Sequence, residues 1–139
     1  MNESNVTPNL TPAKSATMGA LLRKAGIPQT YEGTSRIGFT TYTKGFQIKA
    51  LDYEHREVYG TRNGRRVVVR WNKRQAKNTR LLVEYHAWST LSFNVTDADK
   101  AAGKELFERI ITILKADGYV FEKIDASSRT AIVTGKAVN

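Results

Sequence analysis

Cysteine is absent from this 139-residue chain, and His55 and His86 are its only two histidines. The first absence excludes disulfides, thiolate zinc sites, iron–sulfur clusters and cysteine nucleophiles, and it fits a reducing compartment. Long apolar runs are missing as well: nowhere do the ~20 consecutive apolar residues that span a bilayer occur, so no membrane span is expected. The opening residues MNESNVTPNLTP lack a basic segment followed by an apolar one, and no secretory signal is expected there. A further absence is local. Between Val58 and Val83 there is no aspartate or glutamate, although thirteen are found in the chain.

What fills that window is positive charge. Arg62, Arg65, Arg66, Arg70, Lys73, Arg74, Lys77 and Arg80 supply eight of the 22 basic residues, which leaves fourteen basic against thirteen acidic residues elsewhere. The formal net charge of +9 is therefore concentrated in one segment. Such a local field is the footprint of a protein that meets phosphates, an anionic surface or an acidic partner.

Asn63-Gly64 divides the window between two β-prone runs. Both central residues of a type I′ turn need positive φ, so Asn-Gly predicts a two-residue hairpin. Regular closure pairs Arg62 with Arg65, Gly60 with Val67, Val58 with Val69 and Arg56 with Trp71 on one face. Thr61 and Arg66, Tyr59 and Val68, and Glu57 and Arg70 pair on the other. Alternation then predicts that Val58, Val67, Val69 and Trp71 are buried and that Arg66 and Arg70 are exposed beside Tyr59. Lys73, Arg74 and Lys77 fall in the following connection, about 20 Å from the turn cluster at roughly 3.3 Å per residue.

The remaining pattern predicts an α+β domain: an antiparallel sheet of five to seven strands with two helices packed on one face. A single domain is expected over 11–136, with a disordered tail over 1–10 and a short tail over 137–139. Thr11 with Pro12 predicts the start of a helix over Ala13 to Ala25, with Gly26 after it and Met18, Leu21, Leu22 and Ala25 as its apolar positions. Arg36 to Tyr42 and Phe46 to Leu51 flank Thr43-Lys44-Gly45 as a first hairpin, in which Ile37, Phe39, Phe46 and Ile48 alternate. Leu81 to Trp88 and Leu91 to Val95 read as one bent strand or two. Thr96 and Asp99 form a capping box for a helix over Asp97 to Asp117, with Leu106, Ile110, Ile113 and Leu114 at helical spacing and Glu105 four residues before Arg109. Tyr119 to Ile124 and Thr130 to Thr134 close the fold as a hairpin. Both LLRKAGI and ILKADGY run from helix to glycine to strand, which is compatible with an internal duplication or with two ordinary connections.

No catalytic constellation emerges, and no enzyme activity, cofactor or metal is expected. His55, Glu54, Asp52 and His86 lack a recognised ligand spacing. Thr134-Gly135-Lys136 lacks the earlier glycine and the strand–loop–helix context of a phosphate loop. Asp97 and Asp99 answer the free N–H groups and dipole of a helix start. Binding fits better. Arginine and lysine contacts to phosphate dominate nucleic-acid affinity, and an aromatic residue among them can stack on a base or support an arginine. The candidate contact set is Arg62, Arg65, Arg66, Arg70, Lys73, Arg74, Lys77 and Arg80 with Tyr59. Nucleic acid is the first expected partner, DNA ahead of RNA; the alternative is an acidic host protein bound and modulated through the same surface.

The series LLRKAG, TTYTKGFQI, ILKADGYVFE and AIVTGK, spread from Leu21 to Lys136, is similar to small proteins encoded by actinobacterial phages. That resemblance implies a bacterial cytoplasmic setting during infection, and no site residues come with it.

Overall fold

Asn63 and Gly64 both take positive φ, 52° and 74°, and the chain reverses there as a two-residue turn should. The computed structural model describes residues 9–34, 37–76, 79–90 and 94–138, without the side chains of Glu32, Arg56 and Trp71. Along it run β1 (Leu10–Thr11), α1 (Ser15–Lys24), β2 (Glu32–Thr34), β3 (Thr40–Tyr42), β4 (Gly45–Ala50), β5 (Tyr53–Arg62), β6 (Arg65–Gln75), β7 (Leu81–His86), α2 (Asp97–Ala116), β8 (Tyr119–Asp125) and β9 (Thr130–Ala137). The class is α+β. A five-stranded antiparallel sheet carries both helices on one face, and β2–β3 and β5–β6 form two separate ribbons.

Strand β9 is the centre of the main sheet. It pairs with β8 along one edge, while its other edge takes β7 from Thr130 to Val133 and β1 at Lys136 and Ala137. Strand β4 lies beyond β7. Alternation works as the strand period requires: Leu81, Val83 and Tyr85 of β7 and Ala131 and Val133 of β9 are buried with Phe46 of β4. Against them lie Met18 and Leu22 of α1 and Phe107, Ile110 and Leu114 of α2. The outer edge of β4 meets residues 28–30, where Thr30 N–H donates to Phe46 O and Phe46 N–H to Pro28 O, each at 2.9 Å. That approach requires glycine at position 45, because a Cβ there would stand 2.5 Å from the Thr30 nitrogen.

The second helix starts as its sequence predicts. Thr96 accepts from Asp99 N–H, and the Asp99 carboxylate accepts from Thr96 N–H. Its C-terminus is followed by Gly118 at φ 97°, and α1 is followed by Gly26 at φ 84°. Asp125 builds the β8–β9 turn: the Ser127 hydroxyl foremost, then Ser128, hold its carboxyl down to about 2.

Several local expectations give way to tertiary contacts. Thr11 does not cap α1; it lies in β1, where its hydroxyl donates to Lys136 O, and Lys14 takes the N-cap position. Leu10 and Ala137 pair with each other, so the sheet takes in residues assigned to the two tails, while residues 1–8 lie outside the description. β3 and β4 do not form a hairpin: β3 pairs back with β2 and β4 pairs with β7, which leaves Ile37 and Phe39 exposed. Arg109 does not turn to Glu105; its Nη2 donates to Ala25 O at 3.0 Å and ties α2 to the end of α1. The pieces of the proposed duplication at Ser35-Arg36, and of the strand beginning at Leu91, lie outside the described residues.

Gly103 shows how closely α2 lies on the sheet. A Cβ there would come 2.3 Å from the Ala87 Cβ, just beyond β7. Alanine in place of a mid-helix glycine ordinarily adds up to about 1 kcal/mol to helix stability. Here overpacking reverses the sign, and Gly103→Ala is expected to cost ~1–3 kcal/mol. Urea denaturation should show the loss as a lower midpoint. Ala87→Gly in the same chain should restore part of it, and additive losses in the double variant would contradict the contact.

Candidate functional site

Strands β4 and β7 pair inside the sheet, and their chain continuations β5 and β6 pair outside it. The four strands make one long antiparallel ribbon, half embedded and half free. The free half is an arm. Among the described strands β5 and β6 pair only with each other, and no described side chain from Tyr53 to Gln75 is buried. Only Val58, Gly60 and Val67 are half-buried within it. The eleven residues of β6 give the arm a length of about 33 Å.

The joint between the two halves is built from Asp52, Thr79 and Arg80. Leu51 N–H donates to Arg80 O at 2.9 Å, Asp52 N–H to the buried Thr79 hydroxyl at 2.8 Å, and Ala76 N–H to Asp52 O at 3.0 Å. Arg80 closes the set. Its backbone N–H and its Nε donate to Asp52 Oδ2, its Nη2 to Asp52 Oδ1 and its Nη1 to Glu122 Oε2. The Arg80 guanidinium, then its backbone N–H, hold the Asp52 carboxyl below its ordinary value, and Asp52 followed by Glu122 raises Arg80. Arg80 thus differs from its expected role: its donors and charge are committed to two carboxylates at the arm's base.

Beyond the joint the expected register changes by one residue. Pairing from the turn to Tyr59–Val68 follows regular closure, but a bulge at Val58/Tyr59 then sets Val58 opposite Arg70 and Glu57 opposite Trp71. Val69 is the additional residue, and a Cβ on Gly60 would meet its Cγ1 at 2.8 Å. A bulge inserts one residue and reverses the alternation of everything after it. Arg70 therefore leaves the Tyr59 face predicted for it and joins the face of Arg62, Arg65 and Arg74. The expected burial of the valine face also fails. Among the described residues, Val58 and Val67 are only half-buried, and Val69 is 58% exposed. The side chain of Trp71 lies outside the description.

The two faces of the arm differ in chemistry. On one, Arg66 lies 3.9 Å over the Tyr59 ring and Lys73 lies 3.9 Å over the Tyr53 ring. The Tyr59 hydroxyl donates to Glu57, and that bond pushes the phenol above its ordinary pKa. On the other, Arg62, Arg65, Arg70 and Arg74 are exposed, and among the described residues none of these four forms an ion pair. Glu54 stands across from Arg74, so that face keeps a clear positive excess. Lys77 lies outside the described residues.

The other candidates are dispersed. Asp52, Glu54 and His55 lie at the base of the arm, whereas His86 is on β7, stacked on Tyr42 with ring centroids 4.4 Å apart. Among the described residues no group of three His, Asp or Glu side chains stands ready for a metal. Thr134, Gly135 and Lys136 are residues of β9, and Lys136 pairs with Asp117. No described helix is long and apolar enough to cross a membrane. The sequence reading missed the joint. Its signal was Asp52 and Arg80, each just outside the paired ribbon, but neither spacing nor pattern joins residues 28 apart. The chain matches no family model, no curated protein and no solved structure.

The joint carries a pH dependence. The folded Asp52 value lies below the unfolded value near 3.8, so its pairing contributes fully above that range and is lost as pH falls through the depressed value. In an NMR titration downward from pH 5, the Arg80 Nε–H resonance should move toward that of free arginine below about pH 4. Asp52→Asn should remove this transition. A transition that survives the substitution would assign the shift to another group.

Proposed function

We propose that this chain is a small basic nucleic-acid-binding protein, an accessory factor that grips phosphates through its β5–β6 arm and the connection after it. One observation carries the reading: four exposed arginines, none of them in an ion pair among the described residues, share one face of a ribbon in which no described side chain is buried. A buried or paired arginine has already spent its donors, as Arg80 has. These four keep theirs, and the guanidinium fork suits phosphate oxygens. Arg66 and Lys73 on the opposite face add to the field around the arm. The resemblance to proteins of actinobacterial phages supports a bacterial cytoplasmic setting in which DNA is the first partner to try.

The test is a fluorescence-anisotropy titration of labelled mixed-sequence DNA at 50 and 200 mM salt. Phosphate contacts release counterions, with a log–log slope of about −0.9 for each duplex phosphate neutralised. Four such contacts predict a loss of affinity on the order of 100-fold over that salt range. Arg62→Ala/Arg65→Ala/Arg70→Ala/Arg74→Ala should flatten the slope by about 3.6 while the circular dichroism spectrum stays that of the wild type. The same slope in wild type and variant would remove the arm from the interface. An acidic protein partner would instead show itself as capture without measurable DNA binding at 50 mM salt.

A further inference from the structure

The arm's two faces, its width and its length together discriminate between kinds of nucleic acid. Resting on the nucleic-acid reading above, we propose that the arm binds B-form duplex DNA by entering the major groove with the face of Arg62, Arg65, Arg70 and Arg74 turned toward the bases and groove walls.

Four observations carry this. A two-stranded ribbon, its strands about 4.8 Å apart with side chains on both faces, fits a B-form major groove about 12 Å wide. No described side chain of this ribbon is buried on either face, so among the described residues both faces are open to a ligand. Its length of about 33 Å is close to one helical turn of B-DNA, roughly 34 Å. The bulge at Val58/Tyr59 adds local right-handed twist, and the groove itself winds.

The arginines are placed for such a path. Arg62 and Arg65 flank the tip, Arg70 lies mid-arm and Arg74 near the base, all on one face because the bulge reversed the alternation between Val68 and Arg70. An arginine in a major groove donates two bonds to guanine O6 and N7 or bridges to phosphate. The A-form RNA duplex offers no equivalent site, since its major groove is deep and too narrow for side chains to read.

Single strands are disfavoured by the opposite face. Binding of an unpaired strand draws on open aromatic faces as stacking platforms. The arm's described aromatic rings, Tyr53 and Tyr59, each already carry a cation at 3.9 Å, and Tyr59 is further held by Glu57. They lie away from the arginine face.

The experiment uses the full chain and three labelled probes of one sequence: a 20-base-pair DNA duplex, the corresponding RNA duplex and a single DNA strand, all at 100 mM salt. Duplex DNA is expected to bind on the order of 10-fold or more tightly than either other probe. Methyl green, which occupies the major groove, should compete, and netropsin in the minor groove should not. Two variants remove equal charge from opposite faces. Arg65→Ala/Arg70→Ala should weaken duplex binding on the order of 10- to 100-fold, and Arg66→Ala/Lys73→Ala should weaken it less. Equal or tighter binding of RNA duplex or single strand, competition by netropsin alone, or equal losses in the two variants would overturn the groove assignment while nucleic-acid binding stands. Absence of binding to all three probes would overturn both. Should either variant unfold, the probe ranking and groove competition on the wild-type chain still decide.

Discussion

The contact between Asp52 and Arg80 is the constraint on which the arm depends. A two-stranded ribbon on its own is marginal in water, because it buries little apolar surface against the entropy of ordering its backbone. Here the ribbon is not on its own: β5 and β6 are the outward continuations of β4 and β7, which sit in the packed sheet. Between the two halves the pairing breaks, and Asp52 fills the break by accepting from the Arg80 backbone and guanidinium while its own N–H donates to Thr79. The arm's direction relative to the sheet is set at that point. Glu122 on β8, which takes the remaining side of the Arg80 guanidinium, ties the joint to the far side of the sheet.

The body and the arm divide the chemistry between them. Methionine, leucine, isoleucine and phenylalanine from the helices meet alternate residues of β4, β7 and β9, and among the described residues none of β5 or β6 belongs to this core. With no described side chain buried, the arm can carry an excess of positive charge on both faces. Water solvates the arginines, and their charge also blunts the open strand edges against pairing with another chain. From Tyr53 to Gln75 the arm carries seven basic against two acidic residues, more than half of the chain's net charge of +9, so positive charge is concentrated on it.

Much of the fold was legible because it rests on short-range rules. The Asn63-Gly64 turn, the Thr96–Asp99 capping box, the helices and the β8–β9 hairpin follow from φ preferences, hydrogen-bond geometry and periodicity within a few residues. The failures involve partners distant in sequence. Periodicity marks Phe46 and Ile48 as strand residues without saying that β4 pairs with β7, some 40 residues on, instead of the adjacent β3. Arg109 reads as a partner for Glu105 until the end of α1 presents a free carbonyl.

For the site the division is sharper. The sequence by itself determined that the charge is concentrated in one window, that the window turns at Asn63-Gly64, and that Arg62, Arg65 and Arg66 surround the tip. These are properties of composition and local backbone preference. Only the tertiary structure decided that the hairpin stands free of the core, that Arg80 belongs to the joint, and that Arg70 shares a face with Arg62, Arg65 and Arg74. A bulge changes side-chain facing by inserting one residue, and nothing in a run of three valines marks which of them is inserted. Burial is likewise a relation to other elements: alternating valines look the same whether or not something packs on them.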